Sequence, residues 1–305
     1  MMIIGESIHV ISSRVRVAID GRDTAFIQDL ARKQVQGGAD WLDLNIGPQR
    51  KAGAEVMPWI VSAVQQVADK PLSLDTTNAT AMEAGLKVVK KTPLINSTDA
   101  TEERMAAMFP LAAKYNANII ALTLAKTGLP TTADARMELA SAILATAAEH
   151  GVPPDHIFLD PLVMTVNGNQ DQAPQTVNAV RFFKQISDPP CRTTCGLSNI
   201  SNGAPPEVRP LINRVYMVML MGAGIDTAIA DALDADLVEA RRMVLRRDTS
   251  TAKGKLYVAL YDTYAAGEEF DPSGVDTRDP ELSDIVKTVR MLENKTLYAH
   301  SYLRL

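Results

Sequence analysis

The sequence is poor in the residues that resident metal, thiol or redox chemistry usually requires. It has two cysteines in 305 residues, Cys191 and Cys195. Two are too few for a disulfide framework, and their separation does not make a Cys-x-x-Cys redox or zinc motif. The four histidines are scattered and supply no evident metal-ligand set. No apolar run is long enough to span a bilayer. The opening MMIIGESIHV lacks the basic and apolar regions of a leader, so no membrane or secretory segment is expected. Positive charge is not in excess either: 31 Lys and Arg against 36 Asp and Glu give a formal charge of −5, which implies no nucleic acid or anionic membrane as partner. What is present is 46% hydrophobic and 22% charged residues, enough for a sizeable core in a cytoplasmic globular protein.

Short apolar runs alternate with longer amphipathic ones about eight times. The predicted strands cover Met2 to Ile4, Trp41 to Asn45, Leu72 to Leu74, Leu94 to Ile95, Asn118 to Thr123, His156 to Leu159, Thr193 to Leu197 and Ile225 to Ala230. Helical spacing fills Thr24 to Gly37, Glu55 to Ala68, Glu102 to Tyr115, Thr132 to His150, Pro174 to Ile186 and Asp236 to Leu245. Near-continuous apolar strands joined by helices imply an α/β fold with a covered parallel sheet. Eight such units closing on themselves make a (β/α)8 TIM barrel. A doubly wound open sheet is the alternative, but GESIHV is not the Gly-rich turn that usually follows its first strand. The segments Asn167 to Pro174 and Ser201 to Pro210 read as long loops. The barrel is assigned residues 1–247, and residues 248–305 a C-terminal helical extension packed on it, with helices expected at Gly254 to Tyr264 and Glu281 to Leu305.

Residues that close barrel strands face the catalytic end of the fold. Here they are Glu6, Asp43, Asn45, Asp75, Asn96, Asp160, Ser198 and Asn199, with Asp226 and Asp231 flanking the eighth strand. Taken singly, each Asp or Asn serves equally well as a helix cap; together they point to a site. Ionised carboxylates accept hydrogen bonds and amides both donate and accept, which suits a flat, nitrogen-rich ring edge better than a phosphate. Neither a Ser/His/Asp nor a Cys/His set is evident, so no built-in nucleophile is expected. Lys126 at the end of the fifth strand admits a Schiff-base lyase reading, without an aldolase pattern around it.

Several strings carry a more specific signal: GES-I at the start, LDLNIGP, LSLDTTN, LINST, LTLAKTGLP, LDPL, GLSNIS and RPLINR. Together they resemble the methyltetrahydrofolate:corrinoid protein methyltransferases, relatives of the folate module of cobalamin-dependent methionine synthase and of dihydropteroate synthase. The resemblance implies a pterin-binding TIM barrel, probed by 5-methyltetrahydrofolate or tetrahydrofolate as substrate, with a corrinoid (cobalamin) carried by a partner protein, and a homodimer. It implies that Asp75, Asn96 and Asp160 hold the pterin edge, with Glu6, Asp43 and Asn45 beside them. Gly196, Ser198 and Asn199 would lie against the ring, with Asn199 hydrogen-bonded to N5. Arg209 would stand near the folate tail, and Asn199 and Asp160 would carry the catalytic roles. Two departures stand out. Ser7 and His9 follow Glu6 where the family usually reads GER and then Asn, and Asn202 stands where many members carry Gln.

The implied reaction moves a methyl group between N5 and cobalt, so the nucleophile comes with the partner and the barrel has only to help N5 leave. A dihydropteroate-synthase-like enzyme would share the pocket but needs an anion-binding Arg/Lys pair, which is not evident. A non-catalytic pterin or corrinoid-docking module is the third reading.

Overall fold

The structure, a computed structural model, describes residues 1–49 and 51–304. Strands and helices alternate through the chain: β1 (Met2–His9), α1 (Ser13–Asp20), α2 (Thr24–Gly37), β2 (Trp41–Asn45), α3 (Gly53–Gln65), β3 (Leu72–Asp75), α4 (Ala79–Leu86), β4 (Leu94–Asp99), α5 (Glu102–Tyr115), β5 (Asn118–Leu122), α6 (Ala133–Glu149) and β6 (Ile157–Asp160). The rest runs α7 (Val166–Asn169), α8 (Gln172–Phe183), β7 (Arg192–Thr193), α9 (Arg209–Ala223), β8 (Thr227–Ala230), α10 (Ala235–Arg246), α11 (Ala252–Ala266) and α12 (Pro280–Leu292). All eight strands are parallel and neighbours in sequence pair in order, with β8 returning to β1. Between β7 and β8 a single parallel bridge, Gly196 to Ile229, nearly closes the ring, assisted by the Ile229 amide donating to the Cys195 carbonyl at 2.8 Å. The TIM barrel is therefore present, and the open-sheet alternative falls.

Alternation along each strand sends every second residue to the barrel interior. Low in the interior these residues are apolar: Ile4, Trp41, Leu94, Ile120 and Phe158 form a small cluster of their own, separate from the main core. Trp41 and Phe158 meet edge to face across it, with ring centroids 6.4 Å apart. Two residues further along three of these strands the same face becomes polar, at Asp43 after Trp41, Asn96 after Leu94 and Asp160 after Phe158. Register aligns these changes, because Asp43 pairs with Ser73, Asn45 with Asp75, and Asp75 with Asn96. A dry floor thus lies beneath a polar mouth.

Capping explains where several outer helices start. Thr132 accepts from the Ala135 amide at 3.1 Å, Asp234 from Leu237 at 3.0 Å and Thr251 from Gly254 at 2.9 Å. The strands reach further toward the mouth than predicted, β1 to His9 and β4 to Asp99, because their polar ends remain in the ladder. β7 is shorter, since the chain leaves the ladder after Thr193 to build the 3-10 turn Leu197–Ser201. Four helices were not predicted, α1, α4, the single turn α7 and most of α9, although Pro210 lies in the first turn of α9 as a helix-starting proline does. The expected loop Asn167 to Pro174 contains the single turn α7 and the start of α8.

In the C-terminal region α11 packs along α9 and α12 meets both. The α9–α11 contact needs Gly222, where a Cβ would come within 2.5 Å of Tyr264 Cβ and 2.6 Å of the Tyr261 carbonyl. Helix continues only to Leu292 of the expected Glu281 to Leu305. The chain reverses at Asn294, whose φ of 59° lies in the left-handed region, and ends the described part in a 3-10 turn, Tyr302–Arg304. Leu305 lies outside the described residues. Among the described residues no helix is long and apolar enough to cross a membrane.

Candidate functional site

The strand-end residues form a polar surface at the mouth, joined largely in pairs. Asp43 is 3% exposed, and one of its carboxylate oxygens accepts from Ser73 Oγ at 2.6 Å and Asn96 Nδ2 at 3.1 Å. One layer above, Asn45 Nδ2 donates to Asp75, while Asn45 Oδ1 accepts from the Gly47 amide at 3.0 Å. Across the barrel Ser198 Oγ donates to Glu6 Oε1 at 2.5 Å, joining strand one to the turn after strand seven over 192 residues of sequence. Asp160 is buried at the end of β6, with Oδ1 taking the Leu162 amide at 2.7 Å.

These carboxyls are held toward their neutral forms, because burial removes the water that favours charge. Desolvation pushes Asp160 up to about 7, against the Leu162 amide and the positive charge of Arg136. Asp43 is pushed up to about 6 by burial, while its bonds from Ser73 and Asn96 pull the other way. Asp75 rises well above the ordinary carboxylate range through burial and then through the charge of Asp43. Glu6 rises through burial, opposed by Ser198 and reinforced by Asp231 and Asp43. Such a group of carboxyls gains by meeting N–H donors, which would favour ionisation and replace lost water.

The turn after β7 presents the amides. Asn202 Nδ2 donates to Asn199 Oδ1 at 3.3 Å, which leaves the Asn199 NH2 as the free end of that side chain. Gly196 has an ordinary φ of −79°, so its lack of a side chain concerns space: a Cβ there would stand 2.9 Å from Asn199 Nδ2. Arg209 opens α9 and its Nε donates to the Ala204 carbonyl at 2.6 Å, bracing the loop between Asn202 and α9. Direct contacts thus join Glu6 to Ser198, Asp43 to Asn96, Asn45 to Asp75, and Asn199 to Asn202. Asp160 and Arg209 bond to backbone groups near them rather than to the other strand-end side chains.

Several supporting residues escaped the sequence reading. Ser73 anchors Asp43. Gln34 of α2 is buried beneath Gly5 and accepts the Ser7 amide at 2.9 Å; a Cβ on Gly5 would stand 2.5 Å from its Oε1. Arg136 of α6 is fully buried and reaches the Pro161 carbonyl and Gln172 at 2.7 and 3.0 Å. It sits in the apolar stripe Ala133, Ala140, Ile143, Ala147, where a lone charge was the available signal. Lys126, by contrast, is exposed in a tight turn between Ala125 and Gly128, without the desolvation that activates a Schiff-base lysine. Among the described residues no group of three or more His, Cys, Asp or Glu side chains is placed to hold a metal ion.

Comparison with known proteins identifies the family. Residues 12–231 match the family described as pterin binding enzyme. Over 242 residues the chain is 30% identical to a methylcorrinoid:tetrahydrofolate methyltransferase from Eubacterium limosum, covering 79% of this chain and 88% of that one. It is also 30% identical over 243 residues to methionine synthase from Mycobacterium leprae, covering 76% of this chain but 20% of that longer protein. Among solved structures, dihydropteroate synthase from Xanthomonas albilineans superposes with a TM-score of 0.62 at 15% identity, covering 82% of this chain and 93% of that one, a likeness of fold. The chain belongs to the pterin-binding enzyme family, in which the resemblance of its strand-end strings had placed it.

Proposed function

We propose that this protein is a methyltransferase that moves a methyl group between N5 of tetrahydrofolate and the cobalt of a corrinoid on a partner protein, working in the cytoplasm as a homodimer. The observation that carries the reading is the set of partly neutral carboxyls bonded to amides and a hydroxyl at the mouth, buried Asp43 with Ser73 and Asn96, half-buried Asp75 with Asn45, and buried Asp160 beside them. A pterin edge offers adjacent ring N–H and exocyclic amine donors, which such carboxyls accept while the amides satisfy ring acceptors. The relative named for methylcorrinoid and tetrahydrofolate supports the choice of substrate and partner.

The corrinoid supplies a reduced metal that takes the methyl group, so the chain needs no nucleophile of its own. The chain's task is to help N5 depart. Asn199, its oxygen engaged by Asn202, offers its NH2 to N5, and this bond strengthens as negative charge develops on the nitrogen during methyl loss. The proton that N5 finally takes comes from solvent, since an amide is no general acid at neutral pH. The dry floor of Trp41, Leu94 and Phe158 keeps water from the other side of the ring. Among the described residues none of Glu6, Asp43 and Asp75 forms a salt bridge, so a diphosphate leaving group, as the dihydropteroate synthase reading requires, would be received unfavourably beside them.

Titration calorimetry with 5-methyltetrahydrofolate, followed by transfer to reduced cobalamin read by its absorbance, tests the proposal. Saturable binding with transfer is expected. Binding without transfer to cobalamin or to any corrinoid protein would leave a pterin-binding module in its place, and absence of binding would overturn both.

A further inference from the structure

The segment after α12 bears on the mouth although it lies far from it in sequence. Gln170, between α7 and α8 and 8% exposed, bonds to two backbone groups of this segment and to one in the last turn of α12. Its Nε2 donates to the carbonyls of Met291 and Thr296 at 2.7 and 2.6 Å, and its Oε1 accepts the Tyr298 amide at 2.6 Å. The far end of the strap is tied back to α12, where Thr288 and the buried Tyr302 share a hydrogen bond of 2.9 Å and Lys287 donates to the Leu303 carbonyl at 2.7 Å.

On its other side the α7 loop touches the turn after β7. Thr165, which caps α7 through the Asn167 amide at 3.1 Å, donates to the Asn202 carbonyl. Asn167 packs so close to Gly203 that a Cβ there would stand 2.8 Å from its Nδ2. Asn202 in turn fixes the Asn199 amide. Tyr298 lines one cleft with Asn167 and Gly168 of the α7 loop.

We propose that the strap of residues 293–304 is a positioning element of the methyl-transfer site, in which Gln170 clamps the α7 loop and Thr165 passes its placement through Asn202 to Asn199. The inference rests on the role proposed for Asn199, and its physical part, the coupling between strap and turn, does not. A side chain held by three hydrogen bonds to backbone is locked in one rotamer and transmits position well. Gln170 and Thr165 touch no reacting atom and act through Asn202.

The test uses Gln170→Ala and Thr165→Val in the full chain, singly and together. Thr165→Val leaves the strap intact, so it serves if loss of Gln170 harms folding. Hydrogen exchange of residues 197–204 is expected to speed up in both variants. Methyl-transfer kcat is expected to fall about tenfold in each, with KM for 5-methyltetrahydrofolate within about twofold, and the double variant to lose no more than either single one, as residues in one chain of contacts do. Unchanged exchange at 197–204 in both variants overturns the proposal whatever the activity. Additive kcat losses, or a loss seen only in KM, overturn the positioning role. Faster exchange in a protein whose wild type transfers no methyl group leaves the coupling standing and removes the function instead.

Discussion

Arg136 Nε donates to the Pro161 carbonyl at 2.7 Å, which sets a buried guanidinium directly behind the strand end that carries Asp160. Among the described residues the guanidinium has no carboxylate within salt-bridge distance. It is nonetheless the positive charge that pulls Asp160 down against desolvation. The cation sits where it can set how easily that carboxyl ionises.

Removing the charge should therefore change pH dependence more than shape. With Arg136→Met the Asp160 carboxyl should titrate higher still than about 7, and pterin binding at pH 7 should weaken roughly three- to tenfold. The affinity should recover as pH rises toward 8.5. Calorimetric binding of 5-methyltetrahydrofolate between pH 6 and 8.5 reads this directly; a pH-independent loss would mean that Arg136 acts through packing alone.

Asp160 also has a signature in stability. Its folded carboxyl holds a proton up to about 7, whereas the unfolded chain releases it near 3.8. Between those values the folded state binds more protons, so this residue's contribution falls as pH rises and is fully spent above 7. Asn keeps an acceptor for the Leu162 amide but does not titrate. Asp160→Asn should thus gain stability relative to wild type progressively from pH 4.5 to 7, by at most about 4 kcal/mol, and then level off. Urea unfolding at several pH values measures the difference; parallel curves would show that burial does not hold the proton.

Asn199→Ala tests the hydrogen bond proposed to the leaving nitrogen. Turnover should drop by roughly ten- to a thousandfold, the range for one donor aimed at developing charge. KM should move little, because the bond is stronger in the transition state than in the bound substrate. Single-turnover formation of the methylated corrinoid is the measurement, and wild-type rates would remove Asn199 from the mechanism.

How much of this was legible in the sequence follows the range of the interactions. Asp43, Asn45, Asp75, Asn96 and Asp160 could be found because each ends an apolar run, a local pattern that the barrel turns into a common layer. Helix α4 was missed because it is eight residues long and contains Gly85, which is there for close packing: a Cβ would come within 2.4 Å of Met57 Cγ. The roles of Arg136 and Gln170 were hidden for another reason. Their partners lie 25 to 128 residues away, and nothing in a local window tells a buried clamp from a surface side chain.

Gly196 offers a sharper probe than any polar residue at the mouth, because its backbone would accept alanine. Its φ of −79° is ordinary for any residue, and although the backbone bridges to Ile229 there, an added Cβ would meet no backbone atom. The added Cβ would meet the Asn199 amide nitrogen at 2.9 Å, the end of a side chain that can rotate away. Folding should therefore be nearly indifferent to Gly196→Ala, with stability changed by less than about 1 kcal/mol, within the ordinary range for a tolerated substitution. Catalysis should not be indifferent, because rotation breaks the bond from Asn202 and turns the NH2 away from the place proposed for N5. Misplacement of a catalytic group by about 1 Å costs on the order of a hundredfold. A variant that melts like wild type but transfers methyl groups about a hundredfold more slowly is the expected result, and equal rates would show that the Asn199 amide is not held in one orientation for the reaction.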